Sequence, residues 1–519
     1  MQLQRAATHV VGVGVLTVLI AAFLSVCALV LFATFRDSSY DLVIFDQAVR
    51  SYAHFHPGIS IIKGVHNGFG PHFSILGDHF SPILATLVPL YWIYEGPQTL
   101  LIAQSVLLAL AIPPLWVFTR RAFGGGCKAT TAAYLVCVAY GLSWPIATAV
   151  AFDFHEVAFA PLLIAVALER LQAGRLRPAL IALAVLLLVK EDMGLLVAGI
   201  GSYLICSGTR TVPRQRMTGV LLIVAGIGYT ALATYVLVPA LGGRADYYWA
   251  YSTLGRNVPQ VVWHIISHPL SAARMMISPP AKLNTLMWLF GTFCFLSLLS
   301  PIVLAAAPLL VERMLNSRYP NWWVAHFHYN AYLVMVLLCA AIDGAARLDR
   351  WTTSAWRHLA ARRGSGPEGA ARVSRPGFVA FGCAVAVLGT ALFAFPRLGF
   401  GEALHAGFYA QTTRSRAAAA ADAAVPSGVV VEAADAVGPE LSRRDTVLLW
   451  DGEQPPLGSP WIVADVKRRD MTFLSVSAER ARVALLLSSG YKVVFERDGY
   501  VVLHRGARTR GPDSAEASR

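Results

Sequence analysis

The stretch 36–82, which follows the first long apolar run of the chain, concentrates side chains that can bind or release protons. Its carboxylates and imidazoles are Asp37, Asp41, Asp46, Asp78, His54, His56, His66, His72 and His79. A carboxylate with a suitable partner can act as a general base towards a hydroxyl group. Ionisable side chains beside a bilayer are costly and persist mainly where they face water or a functional site. The stretch is therefore predicted to be a functional loop.

Asp41 and Asp46 are the two candidate catalytic residues of this loop. On a helix, a spacing of five residues turns one side chain about 140° away from the other, so the two carboxylates are not expected to act as a pair. One of them is then the general base, while the other orients or caps a helix. Asp78 and His79 are candidate substrate-binding residues, although Asp78 is equally suited to capping the helix that follows it.

Three later segments place further titratable groups at the ends of apolar runs. They are Phe152-Asp153-Phe154-His155-Glu156, Lys190-Glu191-Asp192 and His326-Phe327-His328-Tyr329. The candidate substrate-binding residues among them are His155, Glu156, Lys190, Glu191, His328 and Tyr329. Since each charge near lipid is costly by itself, we expect these groups to surround one cavity on the outer side of the membrane. The alternative is that outer loops are simply polar and hydrated.

The same segments are candidates for binding a divalent metal ion, because histidine and carboxylate side chains are suitable ligands. The predicted ligands are Asp153 and Glu156. Further candidates, with unspecific spacing, are the pairs His54/His56 and His326/His328.

Lys190 is the candidate phosphate-binding residue. A lysine can hold a phosphate group as a point charge, or it can be neutralised by its neighbours Glu191 and Asp192 within one turn. Phosphate binding is favoured, because a cation at the mouth of a membrane cavity suits a lipid-linked phosphate.

The composition indicates a membrane protein. The chain of 519 residues is 56% hydrophobic and only 14% charged, whereas soluble domains are about one quarter charged. The net charge of +13 comes mainly from arginines in short loops between apolar runs, which is typical of cytoplasmic loops and does not indicate a nucleic-acid partner. The cysteines lie in or beside apolar runs without metal-type spacing, so neither disulfides nor a cysteine zinc site are expected.

Apolar runs near the length of about 20 residues needed to cross a bilayer predict roughly eleven membrane helices, with a cytoplasmic N-terminus and an outer C-terminus. The first run, 10–35, is too long for a signal peptide and is predicted to be a retained anchor. The run 82–94 is too short to cross and is predicted to be interfacial. The run 178–207 is predicted to form two short helices, with Lys190 in the outer turn between them.

These patterns predict an all-α polytopic membrane domain over 1–396, with its catalytic outer loop at 36–97. A small α/β domain on the outer face is predicted over 397–505, because short β-type runs alternate there with helical stretches. The β-type runs are 428–431, 446–450, 461–464, 491–495 and 500–504. The polar remainder, 506–519, is predicted to be a disordered tail.

The motifs together resemble a bacterial membrane-protein family known as domain of unknown function 2079. The resemblance covers roughly residues 36–470. It rests on Tyr40-Asp41-Leu42 with Asp46-Gln47, Asp78-His79-Phe80-Ser81-Pro82, Phe154-His155-Glu156, Lys190-Glu191-Asp192, His328-Tyr329, Ser442-Arg443-Arg444 and Val463-Ala464-Asp465. Together these motifs are fairly specific, although each one by itself is weak.

That family in turn resembles the GT-C glycosyltransferases, such as protein O-mannosyltransferases and the lipid A aminoarabinose transferase. Those enzymes take a sugar from a polyprenyl-phosphate carrier at the outer face of the membrane. Their first outer loop begins with an acidic residue, which corresponds to Asp41 here. An acidic residue of a second outer turn corresponds to Asp153 or Glu156, and a lysine of a later turn corresponds to Lys190. Because Asp41 is followed by leucine and not by a second acid, Asp46 stays a rival.

The resemblance implies an inverting glycosyltransferase of the plasma membrane, which moves a sugar from a polyprenyl-phosphate donor to a glycan, lipid or protein acceptor. Asp41 would activate the acceptor, and Lys190, with His79 or His328, would neutralise the departing phosphate. The alternative is a transporter or flippase of lipid-linked or small polar substrates, because intramembrane charges also mark substrate paths. Against transport, the charges gather on one face of the membrane and no repeated halves are evident.

Overall fold

The structure, a computed structural model, describes residues 2–207, 213–362, 377–452 and 457–506. Its contacts divide the chain into two units. The first unit comprises Met1–Leu29, Ile75–Leu87 and Leu100–Phe408, and the second comprises Val30–Ser74, Val88–Thr99 and Tyr409–Arg519. This division differs from the predicted boundary after residue 396, because contacts group the segments 30–74 and 88–99 with the C-terminal part of the chain. Apart from Gly506, the predicted tail lies outside the described residues.

The first unit is built from α-helices joined by turns and short 3-10 segments. The helices are Gln2–Ala33, whose last turn belongs to the second unit, Pro97–Ala109, Ile112–Ala122, Gly126–Gly141, Trp144–Ala151, Ala160–Gln172, Leu176–Leu187, Met193–Ser207, Pro213–Leu232, Val238–Ala240, Val258–Ser267, Pro269–Ile277, Pro280–Gly291, Ala307–Leu315, Ala331–Arg362 and Phe378–Ala394. The predicted helical architecture of this part of the chain is therefore confirmed.

Five helical stretches in the described part of the chain are long and apolar enough to cross a membrane. They are Thr8–Ala33, Pro97–Ala122, Gly126–Ala151, Gln215–Ala240 and His328–Ala360. Shorter apolar helices are Pro82–Tyr91, Leu176–Leu187, Met193–Ser207 and Phe378–Ala394. The predicted number of eleven crossings is not confirmed, because several of the apolar runs form helices shorter than a full crossing requires.

The predicted division of one long apolar run into two helices is confirmed by Leu176–Leu187 and Met193–Ser207. The second of these helices packs closely on Pro213–Leu232 through facing glycines, since a Cβ atom on Gly194 would clash with the carbonyl oxygen of Gly226. Small residues let helix backbones approach each other inside a membrane. This contact anchors the helix that begins directly after the charged turn.

The helix Ala331–Arg362 forms part of the core of the first unit. All residues from 331 to 342 are buried, as expected for a helix segment that is apolar on every side. The helix follows the 3-10 turn His328–Asn330 without a break. The side chains of that turn are therefore attached to one of the most buried elements of the unit.

The second unit combines helices with a mixed sheet. Its helices are Ser39–Ala53, Ile61–His66, Val88–Tyr91, Thr413–Ala423, Gly438–Leu441 and Val476–Ser488. Its strands are β1 (Val430–Ala433), β2 (Thr446–Leu449), β3 (Trp461–Asp465), β4 (Lys492–Arg497) and β5 (Tyr500–His504). All five predicted β-type runs form strands, with ends that move by at most two residues.

The sheet has the strand order β2-β1-β3-β5-β4. Strand β1 pairs in parallel with both β2 and β3, whereas β5 pairs antiparallel with β3 and β4. Its core includes the large side chains of Trp450, Phe473, Tyr491 and Leu503, which are all buried. A parallel arrangement with an antiparallel edge is common in α/β domains. The predicted small C-terminal sheet is confirmed.

Candidate functional site

Two charged turns of the first unit meet at the pair His79–Glu191. The Nδ1 atom of His79 lies 2.8 Å from Oε1 of Glu191, and the backbone N–H of Phe80 donates to Oε2 of the same carboxylate at 3.0 Å. Both carboxylate oxygens are thus held by neighbouring residues of a single turn. The structure brings together two residues that were predicted to bind substrate from distant parts of the sequence.

Each member of this pair favours the charged form of the other. Burial and the nearby Lys190 lower the pKa of His79, but Glu191 and Asp78 outweigh them and raise this pKa above its ordinary value. Burial also opposes the ionisation of Glu191, yet His79 and then Lys190 lower the pKa of Glu191 to about 2. The pair is therefore an imidazolium–carboxylate ion pair in acidic to near-neutral solution.

Tyr248 completes this part of the site. Its hydroxyl donates to Oδ1 of Asp78 at 2.7 Å, and its ring stacks on the imidazole of His79 with centroids 5.0 Å apart and planes 9° apart. One tyrosine thereby orients two adjacent candidate residues. Sequence reasoning missed Tyr248 as a site residue, because an aromatic cluster in an outer loop is equally typical of a membrane interface.

Lys190 is a buried cation with few partners. Its Nζ atom lies 3.4 Å from Oε1 of Glu156, and it faces the ring of Tyr329 at 5.9 Å from the centroid. The described part of the chain gives this ammonium group no closer acceptor. Burial lowers the pKa of Lys190, but Glu156, Asp192 and Glu191 raise it well above its ordinary value. The side chain therefore stays protonated, with N–H donors left for an anion.

His155 and His328 stack directly on each other. Their ring centroids are 3.3 Å apart and their planes differ by 20°. Phe152 lies against both imidazoles, and Tyr329 lies 4.1 Å from that of His328. The Nδ1 atom of His328 is buried and has no hydrogen-bond partner among the described residues. The two predicted residues therefore form one face of the cluster that includes Tyr329.

Gln104 shapes the turn that carries Asp153 and His155. Its Nε2 donates to the carbonyl oxygen of Asp153 at 2.6 Å, and its Oε1 accepts the backbone N–H of His155 at 3.1 Å. Asp153 has a φ of 54°, in the left-handed region that aspartate tolerates better than most residues. Gln104 was missed from the sequence, because a single amide within an apolar run gives no spacing signal.

Arg313 supports the turn of Tyr329 from behind. It is almost completely buried, and its guanidinium donates to the carbonyl oxygens of Trp322 and Tyr329, both at 2.7 Å, and to Oδ1 of Asn330 at 3.1 Å. A guanidinium offers five donors in a fixed plane, which suits this set of acceptors. In the sequence, Arg313 is one arginine near the end of an apolar run, and this pattern does not single it out as a site residue.

The residues predicted to bind a metal ion lie in different surroundings. No group of three or more histidine, cysteine, aspartate or glutamate side chains in the described residues is arranged to hold a metal ion. Glu156 instead faces Lys190. His54, another candidate, pairs with Glu95 in the second unit at 3.0 Å. A divalent ion at Asp153 and Glu156 stays a prediction.

Asp46 lies in the second unit as a fully paired carboxylate. Its exposed fraction is 0%. It accepts hydrogen bonds from the hydroxyl of Tyr91 at 2.7 Å, from Arg50 at 2.9 Å and from the hydroxyl of Ser442 at 3.1 Å. Burial raises the pKa of Asp46, whereas these three partners lower it. A carboxylate enclosed in this way is suited to holding structure together, and little of it is left to reach a substrate.

Asp41 lies on the same helix, Ser39–Ala53, but in a different environment. It lies in the first helical turn, three residues after the N-cap residue Ser38, and its side chain is only half-buried. Carboxylates are favoured in the first turn of a helix by the aligned backbone dipoles. Of the two candidate bases, Asp41 is therefore the one with access to solvent.

The apolar helices and the buried ionisable clusters define a multi-pass membrane protein. The chain belongs to the predicted membrane protein family DUF2079, whose family model matches residues 31–502. The family resemblance drawn from the motifs is thereby confirmed. No curated protein matches the chain significantly.

Two solved structures are similar to this chain over nearly its whole length. ArnT from Cupriavidus metallidurans in the apo state shares 14% identity, with a TM-score of 0.48 and coverage of 98% of this chain and 100% of that one. The archaeal oligosaccharyltransferase AglB from Archaeoglobus fulgidus, in complex with an inhibitory peptide and a dolichol-phosphate, shares 10% identity, with a TM-score of 0.40 and coverage of 96% and 75%. Likenesses at this level assign no activity to the chain.

Proposed function

We propose that this protein is a GT-C-like membrane glycosyltransferase, which transfers a sugar from a polyprenyl-phosphate donor to an acceptor hydroxyl at the outer face of the membrane. The motif resemblance supports the reaction class. The observation that carries the proposal is the buried, protonated and under-coordinated Lys190. A cation with spare donors in a membrane protein is suited to a phosphate group attached to a lipid.

The first unit supplies the groups that would receive the leaving phosphate. Lys190 binds its oxygens, and His79, whose pKa is raised by Glu191 and Asp78, adds a second positive charge when it is protonated. His155, His328 and Tyr329 form an aromatic wall suited to packing against the sugar ring. Preorganised charge at the place where negative charge develops is often the largest single contribution to catalysis.

The proposed step is an inverting displacement. Asp41 takes the proton of the acceptor hydroxyl while the acceptor oxygen forms a bond to C1 of the sugar. The bond between C1 and the phosphate oxygen breaks on the opposite face, and its electron pair leaves with the polyprenyl phosphate. Asp46 is assigned a structural role. The solvent access of Asp41 and the three hydrogen bonds that occupy Asp46 support this division of roles.

The test is sugar transfer by the purified full chain in proteoliposomes, using a panel of radiolabelled polyprenyl-phosphate sugars and an extract of outer-leaflet lipids and glycans as acceptor. Wild type is compared with Asp41→Asn, Lys190→Met and the exposed-carboxylate control Asp246→Asn. We expect Asp41→Asn to lower kcat by about 10²–10⁴-fold, the usual contribution of a general base. The control is expected to match wild type.

The outcomes separate the alternatives. Turnover of one donor that depends on Asp41, with donor binding retained in Asp41→Asn, supports the proposal. A donor that crosses the bilayer unaltered would instead favour a flippase. Absence of both binding and turnover for every polyprenyl-phosphate donor would overturn the proposal.

A further inference from the structure

The start of the helix Ser39–Ala53 is bound to a single residue, Asp435, in the part of the second unit that carries the five strands, from residue 409 onwards, which is called the sheet domain below. The backbone N–H of Ser39 donates to Oδ1 of Asp435 at 2.9 Å, and the hydroxyl of Ser38 donates to the same oxygen at 3.0 Å. The hydroxyl of Ser39 donates to the carbonyl oxygen of Asp435 at 2.7 Å. Gly438 leaves room for this contact, since a Cβ atom there would clash with the Ser39 hydroxyl.

The same helix is attached to the sheet domain further along its length. Gln47 donates to the carbonyl oxygen of Val447 in β2 at 2.9 Å. One turn later, Arg50 donates to the carbonyl oxygen of Arg443 at 3.2 Å. Together with the bond from Ser442 to Asp46 at 3.1 Å, these contacts follow the helix from its first turn to its last. The helix is therefore docked along the domain, and its start is not a free loop end.

Three acidic residues are linked in sequence at this contact: Glu479 and Asp470, which are buried, and Asp435, which is half-buried. Oε1 of Glu479 accepts the backbone N–H of Asp470 at 2.5 Å, and Oδ2 of Asp470 accepts the backbone N–H of Asp435 at 2.8 Å. Asp435 in turn accepts the backbone N–H of Ser39. Each carboxylate thus fixes the backbone of the next acidic residue. Glu479 is fully buried and Asp470 nearly so. Their burial limits the movement of this hydrogen-bonded series from Glu479 to Asp435, which is called the relay below.

The position of Asp435 in the sheet explains why a contact forms there. Strand β1 lies between the parallel strands β2 and β3, so the connections that leave β1 and β3 diverge at their carboxyl ends. Open α/β sheets bind their ligands in the crevice at such a point. Asp435 lies two residues after the end of β1. Here the chain's own residues 38–40 are bound at this edge of the sheet.

We infer that the C-terminal domain is a clamp that sets the position of the Asp41 carboxylate, and that Asp435, Asp470 and Glu479 are positioning residues for the transfer reaction. This inference rests on the proposed function, because it takes Asp41 as the general base. Asp41 follows the clamped Ser39 by two residues, within the first helical turn. A displacement of about 1 Å of a reacting group costs about 10²-fold in rate, so the backbone bonds of this turn control the activity.

The first test measures the clamp without any substrate. Hydrogen exchange of the full chain in nanodiscs, followed by mass spectrometry, compares wild type with Asp435→Ala, Asp435→Asn and Glu496→Gln. Glu496 is an exposed carboxylate of β4 in the same domain and serves as the matched control. We expect Asp435→Ala to speed exchange in peptides covering 36–45 by about threefold or more, since the Ser39 N–H and the Ser38 hydroxyl lose their carboxylate acceptor and only the backbone carbonyl oxygen of Asp435, 3.0 Å from the Ser39 nitrogen, is left. Peptides from β1 and β3 keep their protection.

The conservative variant distinguishes positioning from general damage. Asp435→Asn keeps an amide oxygen that can accept the Ser39 N–H, so we expect it to restore most of the protection. Asp470→Asn, one step further along the relay, should give an intermediate effect. Unchanged exchange at 36–45 in Asp435→Ala, or equal acceleration throughout the sheet domain, would overturn the clamp.

The second test measures transfer with the donor found active for wild type. We expect Asp435→Ala to lower kcat by about 10²-fold with KM for the donor within about twofold, and Asp435→Asn to recover activity to within about threefold of wild type. A raised KM with unchanged kcat would overturn the positioning role. If wild type transfers no sugar, the proposed function fails, whereas the exchange result at 36–45 still decides whether the clamp exists.

Discussion

Asp46 and Lys190 are both buried charges, one in each unit of the molecule, but their surroundings differ. Asp46 has no exposed surface and accepts hydrogen bonds from Tyr91, Arg50 and Ser442. Lys190 is 8% exposed and has Glu156, at 3.4 Å, as its nearest acceptor in the described chain. A fully paired buried charge stabilises the fold around it, whereas an under-paired one is held ready for a ligand. Burial alone does not separate these two roles.

The largest expected effect on stability is at Asp46. Replacing Asp46 with alanine breaks its ion pair with Arg50 and leaves the buried Tyr91 hydroxyl without its acceptor, whereas Arg50 keeps Glu95 and Ser442 keeps the carbonyl oxygen of Pro439. Breaking a buried pair in this way costs about 3–5 kcal/mol. We expect this loss in the free energy of unfolding, measured by denaturant titration of the purified chain in detergent. The matched variant Asp41→Ala should stay within about 1 kcal/mol of wild type. Equal stability of the two variants would remove the distinction between them.

Lys190→Met should lower the transfer activity more than the stability of the fold. We expect donor turnover to fall by about 10²-fold or more, as when one donor to a developing oxyanion is removed. The loss of stability should be clearly smaller than for Asp46→Ala, because the lost ion pair is long. The control is Lys128→Met at an exposed lysine, which should keep full turnover. If Lys190→Met lowers the stability but leaves the specific activity of the folded protein unchanged, Lys190 has a structural role.

The pair His79–Glu191 lies between these extremes, and its contribution depends on pH. The pKa of Glu191 is lowered to about 2, so its contribution is present above 4.5, the ordinary value, and is lost as the pH falls towards 2. The pKa of His79 is raised above 6.5, so its contribution is complete below 6.5 and is lost as the pH rises through the raised value. The pair should therefore stabilise the fold most between pH 4.5 and 6.5.

A double-mutant cycle measures this contribution. The free energies of unfolding of wild type, His79→Gln, Glu191→Gln and the double variant are compared inside that pH range and on both sides of it. We expect a coupling of about 2 kcal/mol inside the range, typical of a hydrogen bond to a charged group, and less outside it. A coupling that does not vary with pH would show that the two side chains interact as neutral groups.

The smallest expected effect is at Tyr248. Tyr248→Phe removes the hydrogen bond to Asp78 and keeps the ring that stacks on His79. We expect a loss of about 1 kcal/mol in the free energy of unfolding. Tyr248→Ala should lose more, because the stacking contact disappears as well. If the two variants are equally destabilised, the ring contributes nothing to the orientation of His79.

Local features were predicted well from the sequence. The turn at Lys190 and the five strands follow from the length and periodicity of apolar runs, which depend only on neighbouring residues. The number of crossings was not confirmed, because composition alone does not determine whether an apolar run forms a full-length helix. The boundary after residue 396 also differs from the observed units, since the segments 30–74 and 88–99 are grouped with the C-terminal part of the chain through long-range contacts.

Some residues of the candidate site could be predicted from the sequence. Titratable side chains near lipid are rare enough to be noticed, so His79, Glu156, Lys190 and His328 were all singled out. The residues that support them were not singled out, because glutamine, tyrosine and arginine also occur at many positions without a functional role. These supporting residues are Gln104, Tyr248 and Arg313. A supporting residue is recognised only by what it touches.

The sequence by itself determined that the chain is a membrane protein of a particular family, and where its charged turns and, to within two residues, its strands lie. These properties depend on residues close together in the chain. Only the tertiary structure decided that Asp46 is enclosed while Asp41 is accessible, and that Asp435 holds the helix that carries both. Those contacts join residues about four hundred positions apart. The burial and partners of a charge determine its role, and no local pattern encodes them.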